Sequence, residues 1–329
     1  MHDSVSVIIG NYNCAQFLAE SIESVLAQEV KPLEILVVDD GSTDDSRSRV
    51  EPFLGKVQWI PVAHGGQGLA LNAALARCRG DWVAFLESDD IWFPAKLKTV
   101  LDCLKKDPML SAVQHSMNQV DAQLKPLTTV LPRDSRRQTL ADFLDGRALL
   151  TGLSALTAGR ETLNQLLPLP GDLVTCVDDY LQPRLLLRGP VMHLAPPLGS
   201  RRVHGRNFYA DIRRSPSRLG LYLSLRSVLD AHLNAFLEEH KLRLSHENVR
   251  RRRIIQHEFE LFLHRSQGFW RAAIDDWMSV VALCASWPYA LFKLVTLAVA
   301  LVWPPLYFGL MRVYEAQTWL PRLRARLLP

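Results

Sequence analysis

The chain has 329 residues, of which 48% are hydrophobic, and its formal net charge is +4. This length and apolar content predict one large α/β domain with a smaller addition, and they exclude a chain too polar to bury a core. The five cysteines are scattered, odd in number and without metal-ligand spacing, which argues against a disulfide framework and indicates a reducing compartment.

The position of the basic residues and the pattern of the first residues indicate which binding partners to expect. The densest basic run, Arg250–Arg253, lies among helix-forming residues without interleaved aromatic residues. We therefore expect a solvated helix face or a contact with acidic lipid headgroups rather than nucleic acid. A strand-like pattern begins already at Val5, so no signal peptide is expected.

The first ninety residues alternate between short apolar runs and amphipathic stretches. Apolar residues spaced by three or four positions predict a helix that ends near Gln28 and another at Leu69–Arg77. Strands and helices that alternate with short links are typical of a doubly wound, mostly parallel α/β sheet flanked by helices. Neither a glycine-rich dinucleotide loop nor a P-loop follows the first strand. The four predicted strands are Val5–Ile9, Glu34–Val38, Val57–Val62 and Trp82–Leu86.

Acidic residues directly follow two of these strands. Asp39 and Asp40 end the second strand, and the fourth is followed by Glu87, Asp89 and Asp90. Ligands of open α/β sheets collect beyond the carboxyl ends of the strands, and crowded carboxylates repel one another unless a positive charge lies between them. Hard dications such as Mg²⁺ and Mn²⁺ take oxygen ligands of this kind. Two interpretations stay open: a metal site, or a solvated acidic loop that caps the next helix.

Three segments of the first half together resemble the signatures of family 2 glycosyltransferases. They are Val5–Asn13, Val37–Asp44 and Leu86–Trp92, and each is weak alone but specific in this order and spacing. The resemblance extends to about Asn207. It implies the GT-A fold and an inverting enzyme that uses a nucleotide-sugar donor, so we expect a GT-A catalytic domain at residues 1–214.

The resemblance also implies roles for single residues. Tyr12 would line the pocket of the donor's base, Asp39 would hydrogen-bond to that base, and Asp40 would support the ribose or the turn. In the family's D-x-D motif one carboxylate meets the ribose and the last meets the metal, and here Glu87 replaces the usual first Asp. The implied donor-binding set is Tyr12, Asp39, Asp40, Asn72, Glu87 and Ser88, and the implied ligands of Mn²⁺ or Mg²⁺ are Asp89, Glu87 and Asp90.

The second half resembles the acceptor side of the same family. Asp178 and Asp179 match its Glu-Asp pair, whose second carboxylate is the general base. Without the upstream motifs, the pair would read as the charged first turn of the helix that follows. Met192–Val203 is a predicted strand that leads into an Arg-x-His-like segment. Relatives often carry arginine where this chain has Leu71, and the missing charge is expected from the phosphate-binding set, which is Arg202, His204 and Arg206.

The chain changes character after residue 214. Residues 215–276 have a helical, charged pattern, whereas residues 277–329 are apolar up to Met311 and basic beyond it. Prolines interrupt the apolar part before it reaches the ~20 residues that a membrane-spanning helix needs, and its tryptophans are typical of a lipid headgroup boundary. We expect an interfacial anchor on the anionic, cytoplasmic face of a membrane. A buried helical hairpin and a transmembrane hairpin stay open.

These patterns predict a membrane-associated glycosyltransferase of cell-surface polysaccharide or glycolipid synthesis. It would transfer a sugar from a nucleotide-diphosphate donor, UDP-linked, to a saccharide or lipid-linked acceptor. Two alternatives stay open. One is a non-catalytic relative that serves as a binding or scaffold subunit, which Glu87 and Leu71 favour. The other is a sugar nucleotidyltransferase, which would need a glycine-rich, basic loop after the first strand.

Overall fold

The structure is a computed structural model that describes residues 4–127, 134–149, 151–205, 207, 215–304 and 306–307. Arg206 and the predicted basic tail beyond Met311 lie outside these residues. Within them, nine strands form one sheet. The strands are β1 Val5–Asn11, β2 Glu34–Asp40, β3 Gln58–Val62, β4 Trp82–Glu87, β5 Ile91–Trp92, β6 Ala112–Val120, β7 Arg136–Gln138, β8 Leu156–Gly159 and β9 Val191–Arg202.

The same described residues contain eleven α-helices. Seven lie between or beside the strands, and the last four follow one another without an intervening strand. They are α1 Ala15–Leu26, α2 Ser46–Val50, α3 Gln67–Leu75, α4 Lys96–Lys106, α5 Leu140–Leu144, α6 Arg160–Asn164, α7 Val177–Arg188, α8 Pro216–Glu239, α9 His246–Ser266, α10 Trp270–Leu283 and α11 Trp287–Val302.

The sheet is mixed but dominated by parallel pairing. Its order is β3-β2-β1-β4-β8-β6-β9-β5, and β7 also pairs with β9. The long ladders β3–β2–β1–β4 and β6–β9 are parallel, whereas the short pairings of β5, β7 and β8 are antiparallel. The predicted architecture of a mostly parallel sheet flanked by helices is confirmed.

Alternate residues of β1 bury on opposite faces of the sheet, as strand geometry requires. Val7 and Ile9 belong to a fully buried core that also contains Leu18 of α1 and Leu97 of α4. Ile8 is equally buried, and α3 packs against β1 and β2. Burial on both faces explains why the strand is a continuous apolar run rather than an alternating one.

β6 is a strand that the sequence pattern does not predict. Its polar residues Gln114, His115 and Ser116 are almost fully buried, because β8 and β9 pair with it on either side. Gln114 Nε2 donates to the Leu149 carbonyl at 2.6 Å, which satisfies part of a buried amide. A polar run of this kind resembles a loop in sequence, and only pairing on both edges makes it a central strand.

Contacts between residues divide the chain into two units. The first consists of residues up to 143, residues 147–203 and residues 228–236, and it contains the whole described sheet. The second consists of residues 144–146, 204–227 and those from 237 on, and its core includes Leu219, Leu261 and Leu297. A helical C-terminal region is therefore confirmed, while the division at residues 214 and 276 stays a prediction.

Gly80, just before β4, lies too close to β1 to carry a side chain. A Cβ placed there would lie 2.4 Å from the Ser6 backbone N. We expect Gly80→Ala to lower the free energy of unfolding by about 1–3 kcal/mol, because β1 or β4 must shift. The matched control is Gly10→Ala in β1, whose Cβ would meet no described heavy atom within 4 Å outside its chain neighbours. Denaturant unfolding measures both variants, and equal midpoints would contradict the expectation.

Candidate active site

The parallel register of β1, β2 and β4 places their carboxyl ends side by side at one edge of the sheet. Asn11 at the end of β1 lies opposite Asp39 of β2, and Gly10 lies opposite Glu87 at the end of β4. Ser88, directly after β4, is buried and donates its backbone N–H to the Gly10 carbonyl at 2.9 Å. The acidic residues that follow separate strands in the sequence are therefore neighbours along one edge of the sheet.

Asp39 is buried and accepts three hydrogen bonds. Asn11 donates its Nδ2–H to Oδ1 at 2.7 Å, and Ser42 donates its hydroxyl at 2.5 Å and its backbone N–H at 3.1 Å. The Ser42 hydroxyl also accepts from the backbone N–H of Asn13 at 2.8 Å. These bonds fix the orientation of the Asp39 carboxylate. They also add Asn11 and Ser42 to the set of residues that shape the site.

Asp40 holds the turn that follows β3. Its carboxylate accepts the backbone N–H groups of Gly65 at 2.8 Å and Gly66 at 2.9 Å, and its Oδ2 lies 2.9 Å from His64 Nδ1. Gly66 has a φ of +93°, a conformation that other residues rarely adopt. Two roles were expected for Asp40, support of the ribose or of a turn, and its observed contacts support a turn.

Tyr12 and His64 form an aromatic stack beside this turn. Their ring centroids are 4.3 Å apart and their planes differ by 10°, and Tyr12 is 46% exposed. Because His64 is itself held by Asp40, the stack offers a preorganised flat surface at the end of β1. Nothing in the sequence pattern pairs His64 with Tyr12.

Glu87, Asp89 and Asp90 gather their carboxylates within 4.8 Å of one another. Burial and repulsion from Asp89 raise the pKa of Asp90 to about 7, and burial together with both neighbouring charges raises the pKa of Glu87 well above its usual value. Asp90 is 2% exposed, and the N-cap of α4 is Ala95. The interpretation of a solvated acidic loop that caps the next helix is therefore wrong for Asp90.

This carboxylate set fits a divalent cation. Oxygen ligands are those that Mg²⁺ and Mn²⁺ prefer, and a dication would offset the repulsion that raises the pKa values of Glu87 and Asp90. Glu87 remains within the group despite its additional methylene, because one of its carboxylate oxygens lies within the same 4.8 Å. The predicted cofactor is consistent with these residues, and the choice of ion stays a prediction.

Arg201 is a cation among these carboxylates, and the sequence pattern does not single it out. Burial opposes its charge, but the carboxylates of Glu87, Asp90, Asp89 and Asp178 outweigh burial and raise the pKa of Arg201. In return, the charge of Arg201 holds the pKa of these buried acids lower than burial alone would. Arg201 therefore lies where negative charge is concentrated.

Arg202, which the motif predicts as a phosphate ligand, has other contacts. Its side chain is 1% exposed and pairs with Glu20, donates to the Asp89 carbonyl at 3.2 Å and lies 4.7 Å from the Phe17 ring centroid. Successive side chains of a strand point to opposite faces, so Arg201 and Arg202 of β9 differ in surroundings. Arg201 is thus a second guanidinium near the carboxylates, and the role of Arg202 toward phosphate stays a prediction.

Asn72 and His204 have contacts that the motifs do not predict. Asn72 bonds to the main chain of Leu169 through both ends of its amide, since Nδ2 donates at 2.9 Å and Oδ1 accepts at 2.7 Å. It therefore joins α3 to the segment that precedes α7. His204 belongs to the second unit, where its backbone N–H donates to the Asn207 side chain. Its role toward phosphate, like that of Arg206, stays a prediction.

The Asp178–Asp179 pair lies in the first turn of α7. Val177 donates its backbone N–H to Gln67 Oε1 at 3.0 Å, and Gln67 Nε2 donates to Glu87 Oε1 at 3.4 Å. Gln67 thereby ties the start of α7 to the end of β4. Burial and the charge of Asp179 raise the pKa of Asp178 to about 7. The start of α7, with Asp178, thus lies beside Glu87 at the end of β4.

Comparisons with known sequences agree with this geometry. Residues 6–156 match the model of glycosyl transferase family 2. An uncharacterised glycosyltransferase of Nostoc sp. is 34% identical over 215 residues, which are 62% of this chain and 66% of that protein. Chondroitin synthase of Escherichia coli is 34% identical over 122 residues, which are 36% of this chain and 18% of that protein. Residues 6–156 therefore carry a glycosyl transferase family 2 domain, and the chain spans less than two thirds of the length of these curated relatives.

Solved structures share the fold. Residues 1–349 of S. aureus TarS in complex with UDP-GlcNAc match with a TM-score of 0.56 and 18% identity, over 90% of this chain and 91% of that one. The same TarS fragment in complex with UDP matches with a TM-score of 0.52 over 90% of both chains. At this identity the likeness establishes the fold alone, which is of the GT-A type. The predicted family and fold are confirmed.

The raised pKa of Asp90 makes the stability of the metal-free protein depend on pH. We expect Asp90→Asn to be stabilised relative to the wild type by about 2 kcal/mol more at about pH 7.5 than at about pH 5. The native pKa of about 7 exceeds the unfolded value of about 3.9, so the native state of the wild type loses stability as pH rises between them. The amide does not ionise.

Melting curves in EDTA at the two pH values measure this difference. Asp102→Asn, which removes a half-exposed carboxylate from α4, is the control and should show no comparable dependence. If Asp90→Asn changed stability equally at both pH values, the assigned burial and repulsion would be wrong.

Proposed function

We propose that the chain is an inverting glycosyltransferase that moves one sugar from a UDP-linked donor to a saccharide or lipid-linked acceptor. The observation that carries the proposal is that Asp39, the Glu87–Asp90 segment and the start of α7 lie at one edge of the sheet. UDP and UDP-GlcNAc bound to a protein of the same fold support the donor class. The relative named chondroitin synthase supports a saccharide acceptor and a role in polysaccharide or glycolipid synthesis.

The nucleotide of the donor would lie at the ends of β1 and β2. Its base would pack on the exposed Tyr12 ring, which His64 supports from behind. Asp39, oriented by its bonds from Asn11 and Ser42, would accept a hydrogen bond from an N–H of the base. Glu87 would accept one from a ribose hydroxyl. Each of these groups is held in place before the donor binds, which lowers the cost of ordering on binding.

The diphosphate of the donor would lie over the acidic group. A divalent cation at Asp89 and Asp90 would neutralise charge on the departing diphosphate. Arg201 is the guanidinium that lies among these acids, and guanidinium groups match phosphate oxygens well. Leu71, at the position where relatives often carry arginine, is 2% exposed and belongs to the core. Arg201 would therefore replace the charge that Leu71 does not provide.

The acceptor hydroxyl would be activated at the start of α7. Asp179 would take its proton while the acceptor oxygen bonds to the anomeric carbon and the bond from that carbon to the diphosphate breaks. Attack opposite the leaving group inverts the configuration. We assign the base to Asp179 because Asp178 shares the charge field of Glu87 and Arg201, and its pKa of about 7 leaves it partly protonated at neutral pH.

Thermal stabilisation by nucleotide diphosphates, with and without Mn²⁺, tests the donor site. A ligand that binds only the native state at a hundred times its Kd adds about 2.7 kcal/mol of stability. We expect UDP to raise the Tm of the wild type only when Mn²⁺ is present. Asp89→Ala should lose both this shift and sugar transfer, whereas Asp179→Ala should lose transfer and keep the shift.

The control is Asp102→Ala on α4, which removes an acidic group outside the site and should retain both properties. Transfer at the wild-type rate by Asp89→Ala or Asp179→Ala would refute the assigned roles. No Tm shift with any nucleotide would support the non-catalytic alternative instead.

Arg201 should weaken the binding of the metal ion and strengthen the binding of the nucleotide. We expect Arg201→Gln to bind Mn²⁺ about tenfold more tightly without nucleotide, because a cation no longer competes for the carboxylates. It should bind UDP about tenfold more weakly, because a phosphate partner is lost. Calorimetric titration measures both constants. Arg77→Gln is the control, because it removes an exposed arginine from the turn that follows α3. A change of both affinities in the same direction would refute the assignment.

The location we propose is an anionic membrane surface on the cytoplasmic side. One side of α11 is apolar and exposed, with Trp287 76%, Val295 53% and Val302 80% accessible, while Leu297 and Leu301 pack in the core of the second unit. No helix among the described residues is both long and apolar enough to cross a membrane. An exposed apolar helix side of this kind suits insertion at the depth of the headgroups.

Flotation with anionic liposomes tests this location. We expect the triple variant Trp287→Gln, Val295→Gln, Val302→Gln to bind about tenfold more weakly than the wild type, because the apolar area that enters the headgroup region is lost. Leu33→Gln with Met109→Gln removes exposed apolar side chains from the first unit and should float like the wild type. Unchanged flotation of the triple variant would eliminate this surface as the anchor.

A further inference from the structure

Four side chains with metal-binding chemistry meet between α9 and α10, far from the acidic residues of the sheet in sequence. His257, Glu260 and His264 recur every three or four residues on α9, so they share one side of that helix. Asp276 of α10 lies against them and is 7% exposed. We call these four residues the α9–α10 cluster.

The cluster has the spacing of a metal site. His257 Nδ1 lies 3.0 Å from Asp276 Oδ1 and 3.2 Å from Glu260 Oε2, and one ligand atom from each of these three residues lies within 4.8 Å of the others. In a tetrahedral zinc site, bonds of about 2.0–2.1 Å give ligand separations of about 3.3 Å. Small side-chain shifts would therefore bring all three onto one ion.

The hydrogen bonds within the α9–α10 cluster do not satisfy all of its acceptor oxygens. A single ring nitrogen carries at most one hydrogen, yet His257 Nδ1 faces two carboxylate oxygens at bonding distance. Glu260 receives one other hydrogen bond, from Gln256 Nε2 at 2.8 Å. Among the described residues, the ion-pair partners of Asp276 and Glu260 are these histidines. A dication would be shared by the ring nitrogen and both carboxylates, which one ring hydrogen cannot be.

His264 has the position of a residue that orients a metal ligand. Its Nδ1 lies 2.7 Å from Asp276 Oδ2, the oxygen that does not face His257. Carboxylates that bind metals are themselves held by hydrogen bonds from outer residues. His264 would therefore fix the rotation of Asp276 and direct Oδ1 to the site.

We propose that His257, Glu260 and Asp276 form a zinc site with His264 as its orienting residue. The mixed set of imidazole and carboxylate selects Zn²⁺ or a similar transition-metal ion, in contrast to the oxygen-only group of Glu87, Asp89 and Asp90. Its ligands come from two helices, so the ion stabilises the packing of α9 on α10. The half-exposed edge of His257 and Glu260, 30% and 26% accessible, gives the ion a route of entry.

Calorimetric titration of the metal-free, full-length protein with Zn²⁺ tests the proposal. Excess Mg²⁺ is present throughout, because it occupies carboxylate groups but competes poorly for imidazole. We expect one Zn²⁺ to bind the wild type and to raise its Tm. His257→Gln and Asp276→Asn should weaken this binding by about a hundredfold or more, and His264→Gln by about 10- to 100-fold.

The matched control is His246→Gln, which removes an exposed histidine from the first turn of the same helix and should bind Zn²⁺ like the wild type. Zn-edge X-ray absorption of the wild type loaded with one equivalent provides a test that needs no variant, and imidazole nitrogen must appear among the ligands. No Zn²⁺ bound by the wild type, equal binding by His257→Gln and the wild type, or an ion without imidazole would each overturn the proposal.

Discussion

Electrostatic repulsion between carboxylates at one edge of the sheet is the constraint on which the rest of the site depends. The register of β1, β2 and β4 brings acids from distant parts of the sequence to one level, and the start of α7 adds Asp178. Burial and mutual charge raise the pKa values of Glu87, Asp90 and Asp178. Arg201 is built into this group as a fixed counter-charge. The need for further positive charge is thus a property of the fold and not of a single loop.

Successive side chains of a strand point to opposite faces of the sheet. Two adjacent residues of the same type therefore have different neighbours at this edge of the sheet. At the end of β2, Asp39 accepts a hydrogen bond from Asn11 at the end of β1. Asp40 instead accepts the backbone N–H groups of Gly65 and Gly66. In β9, Arg201 lies among the acids and Arg202 pairs with Glu20. The same geometric rule therefore gives adjacent residues different neighbours, so that one of each pair is assigned to the donor in the proposed function and the other has contacts within the fold.

The scaffold contacts explain how the site is kept in shape without a ligand. Gln67 connects the start of α7 to Glu87, and Asn72 connects α3 to the main chain of Leu169. His64, held by Asp40, supports the exposed ring of Tyr12. Each contact joins segments that are far apart in the sequence, so the groups that would meet the base, the ribose and the acceptor are positioned by the fold in advance.

The second unit is held together in a different way. Its helices pack apolar faces around Leu261 and Leu297, and several of its polar contacts join one helix to another. Lys293, which interrupts the apolar segment in the sequence, pairs with Glu258 of α9. Burial opposes the charge of Lys293, but Glu258 together with Tyr289 and Tyr307 outweighs burial and raises the pKa of Lys293. This pair fixes one side of α11 within the unit and leaves the other side, with Trp287, exposed.

The sequence by itself determined the family, the sheet type and the existence of the acidic group. Strand and helix periodicity and the spacing of the three motifs are local properties, so the ends of β1, β2 and β4 could be located without coordinates. The sequence pattern did not predict β6, because polar residues such as Gln114 and His115 are typical of a loop. They are buried here because β8 and β9 pair with β6 on both of its edges.

Only the tertiary structure decided that Arg201 lies among the acids, that Asp40 supports a turn, and that Asp276 meets His257 and His264. Each of these outcomes depends on which side of an element a residue occupies and on which distant element packs there. Neither is encoded in the local pattern of residue types, since burial and charge neighbours are set by the packing of the whole chain.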